Sequence, residues 1–510
     1  MTNFKKATIF GLIGWGTLAL FSVLEYSKIA QQACYFHINW LSCSAQLSGA
    51  LWVGMVVLLF MIFSCLVLSG LFIWKSFCAK ERISNKNILV SIIIFIFLSF
   101  LVVPFGSGDI TFYYHSGKTV QAGINPYTQA WLWENPFVPP VVNKEYKHGF
   151  AYGPITAHVF SAVYKLSNGN IVIFIILWKM LMILFFSLCG LLFFKFLDFS
   201  KGSAEENHFW LLWFLQPAFL FEWIAIGHFD SIWLAFILLS LVLVKRKTWW
   251  LVLPCLVVGI WIKFIPIFFL PWFVLKWWQE VNWQNWKKML GGQAIGVAIS
   301  IAITMLSWAK LWQGFTVFET LARISKWAAM STFSLIYYSL APLFRSAIGA
   351  DFHWYLTRFV QFGLIALILY LMYPFLKKAV MVILRKDIFS ESEFLSALFV
   401  SMLVYVIFWQ KAVWPWYIIW LLPLGIVAYV KSENNYIKKI TAWITLSPLF
   451  FYFIWGFYYQ ITSGGDATSK LWFYYYFVIS IFVYPMYNLF KWRKTGYGIN
   501  KLDVVKSNIL

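Results

Sequence analysis

Asp109 lies in FGSGDITFYYHSG, directly after the apolar run 88–104 and ahead of a polar, aromatic stretch that lasts to Pro154. A carboxylate at the exit of an apolar helix is costly and is commonly kept for function. The chemistry open to it is general-base catalysis, in which a carboxylate takes the proton of a hydroxyl as its oxygen attacks. The stretch continues through Tyr113 to GINPY (123–127) and FAYGP (150–154), adding Asn125, Tyr127 and Tyr152 as binding candidates. A second segment, QPAFLFEWIAIGHFD, puts Glu222, His228 and Asp230 at a turn between apolar runs and leads on to Lys263 in GIWIKFIP. A third, WQKAVWPWYIIW, carries Lys411, Trp414, Trp416 and Tyr417. Lys263, Arg323, Lys326 and Lys411 add cations, and His228 a further group able to carry positive charge.

These residues must be positioned by membrane helices. The chain has 510 residues, of which 62% are hydrophobic, 22% aromatic and 12% charged. Apolar runs near the length of a bilayer crossing recur throughout, about fourteen in all, and spanning helices satisfy their own backbone groups where lipid cannot. The fold class is therefore an all-α polytopic integral membrane protein. The runs include 88–104, 170–197, 208–226 and 230–245. The pair 248–262 and 264–278 is too short to cross and is expected to turn near Lys263. Thirty-one Trp and 26 Tyr suit interfacial belts and a groove for lipid tails.

The net charge of +21 is distributed in clusters and does not point to nucleic acid. Lys5 with Lys6, Lys80 with Arg82 and Lys86, Lys245 to Lys247, Lys287 with Lys288, Lys377 with Lys378, Arg385 with Lys386, Lys438 with Lys439, and Lys491 to Lys494 fit one side of the membrane in a consistent alternation. That side is read as cytoplasmic, with the Asp109 loop outside. The expected organisation is a transmembrane hairpin at 1–87, then a catalytic module at 88–310 with a first outer loop at 105–169. A C-terminal module at 311–490 follows, with a second outer loop at 310–353, and 491–510 is a cytoplasmic tail.

In order and on one expected membrane face, the three segments resemble GT-C glycosyltransferases, specifically the bacterial polyprenyl-phosphate-mannose-dependent mannosyltransferases. The features that carry the resemblance are the Asp after a span followed by G-x-NPY and Y-x-P, the P…E…GH-x-D hairpin followed by K-x-x-P, and PWY-x-x-W-x-x-P. The N-terminal hairpin before the Asp-bearing segment departs from that family, whose catalytic Asp usually follows its first span. The resemblance implies a GT-C-like helix bundle in a bacterial plasma membrane with its active site on the extracytoplasmic face. It implies a sugar donor, mannose by resemblance, carried on a polyprenyl phosphate, and a glycolipid or polysaccharide acceptor. Asp109 would be the base of a single inverting displacement, with no cofactor and no metal expected.

The same residues admit structural roles. Asp109, His228 and Asp230 could cap the helices that follow. Gly123, Asn125 and Pro126 are turn formers. Lys263 could extend to the interface, and Arg323 and Lys326 could touch headgroups. Trp414, Trp416 and Tyr417 could be belt aromatics. Cys34 and Cys43 share the first outer loop, where an oxidising compartment would favour a disulfide. No CxxC occurs, which argues against quinone-linked redox chemistry. The competing functional class is a flippase or secondary transporter of lipid-linked sugars. Transporters carry internal repeats and broken helices at mid-membrane, whereas here no repeat is evident and the polar residues gather at one face.

Overall fold

The computed structural model describes residues 1–29, 49–104, 109–127, 131–133, 144–146, 150–199, 203–315, 331–410, 413–432, 434–461 and 467–495. Cys34, Cys43, Arg323, Lys326 and Lys411 lie outside them. The described chain is helical apart from one hairpin of three-residue strands, β1 (Trp131–Trp133) and β2 (Lys144–Tyr146), antiparallel with Trp131 opposite Tyr146. Six described helices are long and apolar enough to cross a membrane, seven if a bent pair is counted as one span. Several of the apolar runs are thus shorter than a crossing. The helix after Ser84 has 17 residues, about 25 Å against a hydrocarbon core of about 30 Å.

Two compact units are present. The first comprises Met1–Ile267, Lys287–Ser325 and Leu449–Ser463. Its elements begin with α1 (Asn3–Ile29), α2 (Gly49–Cys78) and α3 (Asn85–Leu101). Next come α4 (Asp109–Gln121), α5 (Pro154–Leu166) and α6 (Ile171–Leu197). Then follow α7 (Ala204–Phe214), the short α8 (Pro217–Phe219), α9 (Asp230–Lys245) and α10 (Val252–Ile262). The α1–α2 hairpin runs antiparallel and is integral to this unit. Ser69 Oγ donates to Ala7 O at 2.8 Å, and the rings of Trp15 and Phe63 pack on Phe221 at 6.3 and 5.5 Å. At its basic end the Glu81 carboxylate accepts the backbone N–H groups of Asn3 and Phe4, which caps α1.

The run 208–226 is not one straight helix. Leu215 ends α7, and Pro217, which lacks an N–H and restricts the residue before it, starts α8. The chain then widens into a π-turn over Leu220–Ala225, and the segment Glu205–Ala225 meets α9 at 119°. Single π-turns of this kind concentrate at functional sites. As expected, the chain also breaks at Lys263, which is extended between α10 and a 3-10 turn at Ile265–Phe269, with α11 (Leu270–Glu280) beyond. The long apolar helix α12 (Trp286–Trp308) supplies a further wall of the first unit. Its residue Ser307 offers a carbonyl to the His158 ring of α5 at 2.9 Å, and its Thr304 hydroxyl accepts the Trp261 indole N–H at 2.8 Å.

The second unit comprises Phe268–Trp286, Lys326–Pro448 and Gly464–Leu510. Its helix Glu391–Val404 starts with a reciprocal cap between Ser390 and Glu393 and ends in another π-turn, Tyr405–Trp409. Beyond that turn Pro415 opens the short helix Pro415–Ile419. Trp272 of α11 donates its indole N–H to Ser401 Oγ at 2.8 Å, which pins α11 to this helix.

Candidate active site

The Asp109 carboxylate is brought to its place by α4, which it starts. One turn along, the Tyr113 hydroxyl donates to Asp109 Oδ2 at 3.3 Å. Tyr113 is buried, stacked on Phe160 at 4.6 Å and tilted against Trp178 at 5.2 Å. The second strut comes from the broken helix. Its π-turn closes through Ile226 N–H to Phe221 O and His228 N–H to Glu222 O, at 2.8 and 2.9 Å. Gly227 then takes φ +85°, a left-handed conformation that suits glycine and stops the helix. This reversal aims His228 back at Asp109, with Nδ1 at 3.4 Å from Oδ2. The Nε2 of the same ring faces Glu222 Oε2 at 3.6 Å.

Exposure separates the members of this row. The His228 and Glu222 side chains are each 1% exposed, whereas Asp109 keeps 27%. Asp109 is therefore the accessible end of a sealed line of titratable groups. Burial alone would push its carboxyl upward. The hydrogen bond and charge of His228, with the charge of Lys263 and the bond from Tyr113, outweigh that and hold it below its ordinary value. Burial together with the neighbouring Asp109 charge pushes the Tyr113 hydroxyl well upward, so it stays a donor.

A buried ion pair stands beside this row. Asp230, the first residue of α9, accepts Lys263 Nζ at 2.6 Å and the Trp233 indole N–H at 2.9 Å. Lys263 also sits over the rings of Tyr152 and Phe229 at 5.7 and 5.3 Å, near enough for cation–π attraction. The FAYGP loop is docked on the same break. Gly153 N–H and Thr156 Oγ both donate to Ile262 O, at 3.0 and 2.7 Å. A methyl group at residue 153 would lie 2.0 Å from Trp261 O, so only glycine allows this approach.

The GINPY residues hold that loop. Asn125 Oδ1 accepts Tyr127 N–H at 2.9 Å, its Nδ2 donates to Leu311 O at 2.7 Å, and Tyr127 hydroxyl donates to Tyr152 O at 2.7 Å. Both residues are buried. The structure gives them a scaffolding task within the candidate site. Tyr113 and His228 thus stand at Asp109 with Glu222 behind the ring, Tyr152, Asp230 and Lys263 lie beside them, and Asn125 and Tyr127 hold the loop that carries Tyr152, all in the first unit. Trp416 and Tyr417 belong to the second unit. There Trp416 is buried and stacks with Trp414 at 5.3 Å with planes 2° apart, while Tyr417 packs on Trp420 at 4.3 Å.

Two residues of α6 were not singled out by sequence. Trp178 donates its indole N–H to Gly227 O at 2.7 Å. Lys179 donates through Nζ to Phe100 O at 3.1 Å and to Val102 O. The signal for Lys179 was present, because a lysine inside an apolar run needs a partner.

The all-helical membrane architecture is of the GT-C glycosyltransferase type. The chain is a member of the alpha-(1->6)-mannopyranosyltransferase family, whose N-terminal domain matches residues 8–279, just over half its length. The activity class is that of an alpha-mannosyltransferase. The matched range contains Asp109, the docked loops, the broken helix and Lys263. It also begins at residue 8, so the N-terminal hairpin, which departs from the expected pattern, falls within the family's own domain. Among curated proteins none matches the chain.

Proposed function

We propose that the protein transfers a mannosyl group from a polyprenyl-phosphate donor to a hydroxyl of a glycolipid or glycan acceptor on the extracytoplasmic face of a bacterial plasma membrane. Asp109 takes the hydroxyl proton as the acceptor oxygen bonds to the anomeric carbon. The bond from that carbon to the phosphate oxygen breaks, and the lipid phosphate leaves with the electron pair. One displacement inverts the anomeric centre, so an alpha product calls for a beta-linked donor. Lys263, with Arg323, Lys326 and Lys411 as further candidates, offsets the charge developing on the phosphate. No step needs a metal or a cofactor.

The observation that carries this reading is the exposure of Asp109 at the end of an otherwise sealed charged row. A base must be reachable by the proton it takes. The outer placement draws support from α9, which has Asp230 as its first residue and Lys245 in its last turn, about 22 Å apart along the axis. The basic cluster Lys245, Arg246 and Lys247 therefore stands at the end of this helix remote from Asp230, as the positive-inside rule requires of an outward-facing site. The test is to give the purified chain a polyprenyl-phosphate mannose and a mannosylated acceptor. Acceptor-dependent release of free polyprenyl phosphate is expected. Movement of intact donor across a vesicle membrane with no release would make the protein a carrier instead.

A further inference from the structure

Lys179 lies about one third of the way along the apolar helix α6 and is buried. None of the steps above uses it. An ionisable group at such a position is expensive and needs a partner. The partners described here are main-chain carbonyls, those of Phe100 and Val102. They are the acceptors freed where α3 ends at Leu101 and the chain turns extended at Val102. In an apolar layer no water is at hand to satisfy them. Lys179, with three donors on one nitrogen, closes the end of α3 from the side of α6.

The adjacent residue acts on the opposite side of the pocket. Trp178 N–H holds the Gly227 carbonyl, and a side chain added at Gly227 would meet Trp178 Cδ1 at 3.2 Å and Ile110 Cδ1 at 3.3 Å. Gly227 directly precedes His228, and Ile110 directly follows Asp109. Two consecutive residues of one helix thus hold the ends of the two segments that carry the Asp109 carboxylate and the His228 imidazole. The Trp178 ring is itself fixed by Tyr113, Phe160 and Phe174 at 5.2, 5.2 and 6.0 Å.

We propose that Trp178 and Lys179 are positioning residues for the transfer reaction: from one point on α6 they set the Asp109 carboxylate against His228. This rests on the reading of Asp109 as the base. Lys179 is buried with its Nζ on main-chain carbonyls, so its removal acts on Asp109 through the end of α3. Misplacement of a reacting group by about 1 Å can cost about a hundredfold in rate.

The experiment uses the full chain in lipid nanodiscs, with kcat, donor KM and thermal unfolding measured on Lys179→Met, Lys179→Gln, Trp178→Phe and Asp109→Asn, and on Lys179→Met combined with Asp109→Asn. Lys179→Met is expected to lower kcat about ten- to a hundredfold with donor KM held within about threefold. Lys179→Gln, which keeps two N–H donors, recovers part of the loss. On the Asp109→Asn background Lys179→Met has little further effect on residual turnover, because the group it acts through is gone. Losses that multiply on both backgrounds, or wild-type kcat in a folded Lys179→Met protein, overturn the proposal and leave Lys179 a stabilising residue only. Should Lys179→Met not fold, Lys179→Gln and Trp178→Phe, which keeps an aromatic ring but loses the bond to Gly227 and part of the indole volume, decide the matter by the same split of kcat against donor KM and thermal unfolding. An impaired Asp109→Asn with unimpaired Lys179 and Trp178 variants defeats this proposal alone. An unimpaired Asp109→Asn defeats the assignment of the base, and this proposal with it.

Discussion

Asp109 Oδ2 and His228 Nδ1 face each other at 3.4 Å across the junction between α4 and the broken helix, with the carboxylate 27% exposed and the imidazole 1% exposed. The asymmetry gives the pair a direction. A proton reaching Asp109 comes from the accessible side, and the buried ring behind it, itself faced by Glu222 at 3.6 Å, keeps the carboxyl ionised beforehand.

Asp109→Asn is the direct test of that role. Asparagine keeps the shape and can still accept from Tyr113, but it takes no proton. Turnover should fall by roughly 10²–10⁴ with little change in thermal unfolding. A helix-capping role predicts a nearly silent substitution, because Asn caps a helix about as well as Asp. Wild-type turnover in a stable Asp109→Asn protein would remove Asp109 from the mechanism.

The pH dependence has a definite sign. In the folded protein the Asp109 carboxyl lies below its unfolded value of about 3.9. The stability contributed by its pairing is therefore complete above that value and lost as pH falls through the lower folded value. The acid limb of kcat/KM should likewise fall below the ordinary carboxylate range. His228→Gln removes the largest of the influences that lower it, leaving burial, which raises it, opposed by Lys263 and Tyr113. The limb should then move to higher pH. A pH–rate profile unchanged in His228→Gln would show that the ring does not control the base.

Much of this pocket could be read along the chain, and what could not is the long-range pairing. Asp109, GINPY, FAYGP, GH-x-D and Lys263 carry local signals, such as turn residues, a charge at a helix exit and a proline after a lysine, and the fold assembles them. The bond from Asn125 to Leu311 joins residues 186 apart, and the pair Lys263–Asp230 joins residues 33 apart. No periodicity encodes either. The same limit hid the bonds of Asn125 to Leu311 O and of Tyr127 to Tyr152 O from the sequence, where both residues read as binding candidates. The π-turn at Leu220–Ala225 was concealed by composition: nothing in LFEWIA marks the widening, and Phe221 and Trp223 are held by packing on Phe63 and Phe219.

Gly153→Ala tests the docking of the FAYGP loop. The added methyl would collide with the Trp261 carbonyl, a main-chain group with little room to retreat. The loop must move off Ile262 or the end of α10 must shift, at about 1–3 kcal/mol. Thermal unfolding should drop, and turnover should drop further than stability alone explains, because Tyr152 and Lys263 are displaced together. An unchanged unfolding temperature would mean that the loop sits farther from α10 than described.

Lys263 and Asp230 allow a stabilising role to be separated from a substrate-binding one. Both side chains are buried, and their contact of 2.6 Å is a charge-assisted hydrogen bond. Lys263→Met leaves the Asp230 charge buried with only the Trp233 N–H of the two described partners, and breaking a buried pair from one side costs roughly 3–5 kcal/mol. Adding Asp230→Asn removes the stranded charge while keeping an acceptor for Trp233, so the double variant should regain most of the lost stability. Donor binding then gives a separate answer. If Lys263 also meets the donor phosphate, the restored double variant should still show a donor affinity lower by about ten- to a hundredfold, the equivalent of roughly 1.5–3 kcal/mol for one charge-assisted contact. The measurement is donor Kd or KM beside thermal unfolding for the single and double variants. A double variant that recovers stability and donor affinity together would confine Lys263 to its pairing with Asp230 and move the phosphate to the other outer cations.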